Sequence, residues 1–181
     1  KLSAYSNTDV LSRVSRTYQN GLCKNITVQL GYSFRYDATR EDNWINGHLV
    51  AFEKSIEVEQ DIDLYPRSIK KVRIGNAVNT KALIKSGKHF LFDLKREEVG
   101  YLTLRVKSSK KQVLTICYGE HITDGGVRRL IENRDFSMQI AVGVGITDYT
   151  NYFRRLGLRY LEVFSEHEIE IERMSVLPTV Y

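Results

Sequence analysis

The chain has little of what most functional sites are built from. Its 181 residues include two cysteines, Cys23 and Cys117, in neither a Cys-x-x-Cys nor a Cys/His spacing, which argues against a zinc site. The simplest reading of both is a small buried hydrophobe rather than half of a disulfide. Four histidines (His48, His89, His121 and His167) share no metal-ligand spacing. There is no Gly-x-Ser-x-Gly nucleophile elbow and no phosphate loop. Gly143 and Gly145 are followed by no helical pattern, which excludes a dinucleotide turn. No apolar run approaches the ~18 residues of a membrane span. KLSAYSNTDV at the start has no apolar signal core, so a signal for an exported parent is expected upstream or already removed. Only two prolines occur, Pro66 and Pro178, both at expected strand ends.

What is present is ordinary for a soluble globular domain: 42% hydrophobic and 27% charged residues. This length fits one domain that buries roughly 70% of its unfolded surface. The net charge of +5 is unevenly placed. Residues 64–92 carry seven basic side chains and no acidic one, and residues 162–172 carry five glutamates. The basic side chains are spread through strand and turn patterns without interleaved stacking aromatics. They read as a solvated sheet face and edge lysines rather than a nucleic-acid footprint.

The hydrophobic pattern alternates with a period of two. Strands are expected at Asn25–Phe34 (broken at Gly31), Ile69–Ile74, Ala82–Lys85, His89–Leu94, Gly100–Val106, Val113–Tyr118, Met138–Val142, Asn151–Phe153, Tyr160–Ser165 and Glu168–Val176. Lys85-Ser-Gly, Ser108-Ser-Lys-Lys and Asp124-Gly-Gly punctuate them. In the last strand Ile169, Ile171 and Met174 should face inward, with a bulge near Arg173. Short strands at this spacing, without repeats, predict an all-β, antiparallel sandwich of jelly-roll or galactose-binding-like type. Residues 1–24 read as a polar N-terminal extension, with a short helix capped by Asp9, and residues 25–181 as one sandwich domain.

Several runs share an order with a known family. They are Asp93, Glu97–Tyr101, Tyr118–Glu120, Asp124–Gly125 and Arg159–Val163, preceded by Gln29–Tyr32, Tyr36–Ala38 and Leu64–Arg67. Together they resemble the β-sandwich before the catalytic barrel of bacterial α-L-rhamnosidases. After the Asp-rich turn that family usually carries a second tryptophan, and this chain has only Trp44. The family's Asp-Gly-Pro-x-Arg-Asp-Arg catalytic run is missing; Asn133-Arg134-Asp135 is only superficially like it. The resemblance implies a non-catalytic accessory module, packed on the barrel of its own polypeptide. The parent would be a rhamnose-releasing hydrolase without organic cofactor. By the same resemblance it would be periplasmic or extracellular in a bacterium, with a cytoplasmic address not excluded. An independent carbohydrate-binding module is the alternative.

Candidate ligand groups follow from their places at strand ends and loops. Glu120 ends a strand beside a Gly-rich loop, where a carboxylate can accept from sugar hydroxyls or pair with a guanidinium. Its expected structural partner is Arg159. Asp124, Tyr149 and Asn151 complete the carbohydrate-binding candidates, with Tyr149 expected at the surface. Related sandwiches hold calcium through loop oxygens, so the resemblance leaves calcium open, with Asp124, Asn133 and Asp135 as suitable ligand types. Their spacing is that of no defined calcium loop, and no metal ligand is assigned. No nucleic-acid partner is expected.

Overall fold

The computed structural model describes residues 7–180 apart from Gln60, Ile62, Leu64 and Arg67. Leu64 and Arg67 of the Leu-Tyr-Pro-Arg run therefore lie outside the described residues. The strands are β1 (Leu11–Ser12), β2 (Tyr18–Gln19), β3 (Asn25–Thr27), β4 (Gly31–Tyr32), β5 (Arg35–Asp37), β6 (Glu53–Lys54), β7 (Arg73–Ile74), β8 (Val78–Asn79), β9 (Lys81–Lys85), β10 (His89–Ser108), β11 (Gln112–Gly119), β12 (Ile122–Thr123), β13 (Gly126–Val127), β14 (Leu130–Ile131), β15 (Arg134–Asp135), β16 (Ser137–Val142), β17 (Gly145–Thr150), β18 (Leu156–Phe164) and β19 (Ile169–Val180). The only helical turns among the described residues are 3-10, at Ala38–Arg40 and Trp44–Asn46. The fold is all-β, as the alternation predicts.

β10 organises the two layers. Residues 89–94 alternate Phe90, Phe92 and Leu94 into the core, and residues 102–106 do the same with Leu102, Leu104 and Val106. Between the two runs Lys95 takes a left-handed φ of 65°, and pairing with β18 slips between Asp93 and Glu98. The strand turns a corner there. Its first half pairs with β18 and β9, and the path continues through β11, β16, β5 and β2. Its second half pairs with β19 on one edge and β17 on the other. β18 changes phase in the same way, burying Leu156 and Leu158, then Leu161 and Val163. One continuous apolar cluster fills the space between the layers. A smaller one of Leu91, Cys117 and Val127 lies on the other face of β10 and β11.

Two sequence expectations change, and the expected bulge is located. No helix follows Asp9. Residues 11–12 and 18–19 are extended, and Tyr18 pairs with Tyr36 in the main sheet. Burying Tyr18 among Phe34, Tyr36 and Phe153 outweighs a helix propensity already weak in Ser and Thr. Asn151–Phe153 is a turn rather than a strand. The strand lies one segment earlier, at β17, and its Gly145 takes a φ of 97°. The bulge in β19 is at Glu172, beside Arg173: Arg105 faces Arg173 and Val106 faces Ile171. Ile169, Ile171 and Met174 point inward as the pattern requires. On β9, an edge strand, Lys81 and Lys85 are exposed, which discourages further strand pairing.

Candidate functional site

Arg159 does not meet Glu120. Its Nε lies 3.0 Å from Asp93 Oδ1 and its Nη2 lies 3.3 Å from Oδ2, a bidentate pair. Asp93 Oδ1 also accepts from the Lys95 backbone N–H at 2.6 Å, so this one carboxylate clasps the corner of β10. β18 runs between β10 and β11, with carboxylates on both sides of Arg159. The corner in β10 turns Asp93 toward it, whereas Glu120 is exposed just past the end of β11. Glu120 instead borders a cavity of about 200 Å³ with His121, Arg128 and Phe136.

The hydrogen bonds from Arg159 hold the Asp93 carboxyl below its ordinary range, against a smaller opposing effect of desolvation. A depressed carboxyl contributes stability that is present above its unfolded value, near 3.8, and is lost as pH falls through the folded value. Asp93→Asn should therefore flatten the acid limb of the stability profile below about pH 4. Thermal melts from pH 2 to 6 check this, and an unchanged acid limb would remove Asp93 from the account.

The other candidates separate. Asp124 is exposed at the tip of the β12–β13 hairpin, with a φ of 53°. Tyr149 is not at the surface: it is 4% exposed, with its ring centroid 4.5 Å from that of Tyr36. Asn151 is fully buried. Its Oδ1 accepts from Phe153 N and Arg154 N, and its Nδ2 donates to Arg154 O. It holds its own turn and offers nothing to a ligand. Among the described residues, no group of three or more His, Cys, Asp or Glu is placed to hold a metal ion. Both cysteines are free. Burial pushes the Cys117 thiol up to about 11, so it stays protonated, a poor nucleophile.

Sequence reasoning misses the buried acid. Glu162 is 4% exposed in the middle of β18. Its Oε1 lies 2.7 Å from His89 Nε2, and its Oε2 accepts from Val127 N at 2.9 Å. It fastens the β12–β13 hairpin onto the sheet. A Cβ at Gly126 would sit 3.0 Å from Glu162 Oε1, a tight contact with the carboxylate that holds the hairpin. The available signal is a lone glutamate inside the apolar run Leu161–Phe164.

A cleft of about 670 Å³ opens where residues from 11–18 and 41–52 face the end of β17. Tyr18, Tyr36, Trp44, Phe52, Tyr149 and Tyr152 contribute rings to it, and Arg13, Glu41 and Asp148 contribute charge. Tyr36 donates to Glu41, and Arg13 pairs with Asp42 while lying 4.6 Å over the Phe52 ring. The described residues thus offer a β-sandwich with an aromatic cleft and one His–Glu pair, His89–Glu162, that fastens a hairpin.

The sequence pattern of the bacterial α-L-rhamnosidase concanavalin-like domain matches residues 83–178, more than half of the chain. The chain belongs to this family. Its fold is also that of solved α-L-rhamnosidases. Against the Aspergillus terreus enzyme the TM-score is 0.67 at 16% identity, covering 98% of this chain and 21% of that one. Against the Dictyoglumus thermophilum enzyme it is 0.65 at 17% identity, covering 81% of this chain and 18% of that one. The rhamnosidase-type domain described here therefore spans about a fifth of those structures. No curated protein sequence matches it. The family match takes in β10, β11 and β16–β18 and most of β19, including Asp93, Arg159 and Glu162. It begins after Trp44 and Phe52, so those walls of the cleft lie outside it.

Proposed function

We propose that this domain is a non-catalytic accessory module of an α-L-rhamnosidase, seated against a catalytic barrel in the same polypeptide. The observation that carries the reading is the family match over residues 83–178. A fold that covers nearly all of this chain and only a fifth of an α-L-rhamnosidase supports it. A surface suited to docking also supports it. Val28, Leu30, Tyr32 and Phe153 are exposed, from 52% at Leu30 to 99% at Val28. Arg154 draws these two segments together by donating to the carbonyls of Leu30 and Tyr32. An exposed apolar patch of this kind is a mark of an interaction surface. Glycan substrates of such a parent favour a periplasmic or extracellular address. No helix among the described residues is long and apolar enough to cross a membrane.

The test compares the 181-residue chain with the longer protein that contains it. The chain should release no nitrophenol from 4-nitrophenyl α-L-rhamnoside, and the longer protein should. Val28→Asp with Tyr32→Asp should lower the melting temperature of the longer protein while leaving the isolated chain nearly unchanged, because both side chains are exposed. Turnover by the isolated chain, or equal effects in both proteins, would overturn the reading.

A further inference from the structure

We infer that the β12–β13 hairpin is a flap that opens on its own, without unfolding of the sandwich, and that Glu162 is its latch. The motion involves none of the residues proposed to meet a barrel.

The hairpin is lightly held. It pairs only Ile122 with Val127 and Thr123 with Gly126. From His121 to Arg128, Val127 alone is buried. The tip turns through two left-handed φ angles, 53° at Asp124 and 81° at Gly125. Arg128 N donates to His121 O at 2.9 Å, a bond that closes the hairpin's own base and moves with it. The hairpin meets the sheet through the Glu162 carboxylate, which accepts from Val127 N at 2.9 Å, and through the packing of Val127 on Leu91 and Cys117. Just beyond it, Arg129 Nη1 lies 3.6 Å from Cys117 Sγ.

The latch is of a kind that can release. Glu162 is 4% exposed, and His89 Nε2 lies 2.7 Å from its other oxygen. A buried carboxylate regains water when its cover lifts, and that offsets part of the hydrogen bond it loses. Opening takes Val127 out of the small cluster of Leu91 and Cys117 and leaves the main cluster, on the opposite face of β10 and β11, intact. A hollow of about 630 Å³ is lined by Thr115, Glu162 and Phe164 from the sheet and by Thr123 and Val127 from the hairpin, so contact between the two is already incomplete. Segments with so few buried contacts open at a lower cost than the whole domain.

Cys117 reports on the opening. It is fully buried against Val127, and alkylation needs its thiolate in contact with the reagent. The full 181-residue chain is treated with iodoacetamide at one fixed pH, in urea concentrations below the unfolding transition. Peptide mass mapping separates Cys117 from Cys23, and the rate in the fully unfolded chain is the reference. Cys117 should label at least about tenfold faster than the global unfolding equilibrium allows, at a rate nearly flat in low urea, because a local opening exposes little surface. Glu162→Ala removes a hydrogen bond to a charged group and should speed labelling a further tenfold or so. Gly100→Ala, where β10 meets β19, should lower the urea midpoint yet leave the low-urea rate within about twofold of the parent. Local opening is refuted if Cys117 labels only as fast as the whole domain unfolds, with a rate that climbs steeply from the first addition of urea. The latch is refuted if Glu162→Ala, folded by circular dichroism, labels no faster than the parent. Should that variant not fold, the urea dependence of the parent chain decides alone.

Discussion

Gly100→Ala should cost this domain about 3 kcal/mol, because it forces a methyl into a full space. Gly100 sits where three strands converge, opposite Leu156 on β18 and Pro178 on β19. A Cβ at this position would overlap the Leu177 carbonyl oxygen and lie 2.8 Å from Pro178 Cα. Both are backbone atoms, so no rotamer change relieves the overlap. Either β10 or β19 must shift, and each carries core side chains along its length. Gly100 has no positive φ, so the penalty is one of contact and not of conformation. Gly157 supplies the control. It also lacks a positive φ, and nothing lies within 4 Å of the place an alanine methyl would take. Gly157→Ala should be neutral or slightly stabilising, within about 0.5 kcal/mol. At about 2–4 °C per kcal/mol for a chain this size, Gly100→Ala should melt roughly 6–12 °C lower. Equal melting temperatures for the two variants would show that β19 does not pack on β10 as described.

Phe90→Ala should destabilise by about 3–5 kcal/mol through lost burial and the cavity left behind. Phe90 is fully buried, and its ring lies nearly parallel to that of Phe92 at 6.2 Å between centroids. It belongs to the first half of β10, in the layer that β18 and β11 complete. Its neighbour Leu91 faces the other way, into the small cluster with Cys117 and Val127. That cluster is covered in part by the β12–β13 hairpin, which has few residues holding it and more room to collapse. Leu91→Ala should therefore fall at the low end of the range for leucine truncation, about 2 kcal/mol. Urea denaturation of the two variants measures the difference. A larger loss at Leu91 than at Phe90 would mean that the main core lies on the opposite face of β10.

Together these substitutions test the corner at Lys95, on which the architecture depends. The alternation of Phe90, Phe92 and Leu94, and then of Leu102, Leu104 and Val106, is plain in the sequence. That both runs form one strand serving two layers is not. Nothing local distinguishes a strand that turns a corner from two strands joined by a loop. Lys95 is a residue that rarely adopts positive φ. It does so here because the Asp93 carboxylate accepts its N–H, and Arg159 holds that carboxylate from another strand.

The candidate site is legible in part for the same reason. Tyr149 stands out in the sequence, and it does line the cleft, but as a buried wall and not an exposed platform. Its neighbour Tyr36 comes from the far end of the chain through the parallel pairing of β5 with β16. Trp44 and Phe52 arrive on a segment whose sequence carries no period. Period-two alternation says which residues share a face but not which strand lies beside them. It therefore assigns Arg159 to Glu120, on the wrong side of β18, and passes over Glu162.

The class of fold, the inward residues of most strands and the family are all readable from the residues alone. Alternation and turn chemistry are local, and the ordered signatures survive at low identity. Which carboxylate Arg159 holds, which acid is buried and where a cleft opens are settled only when the layers pack. Those outcomes depend on strand order and on a corner in β10, and both are set by contacts between residues far apart in the chain.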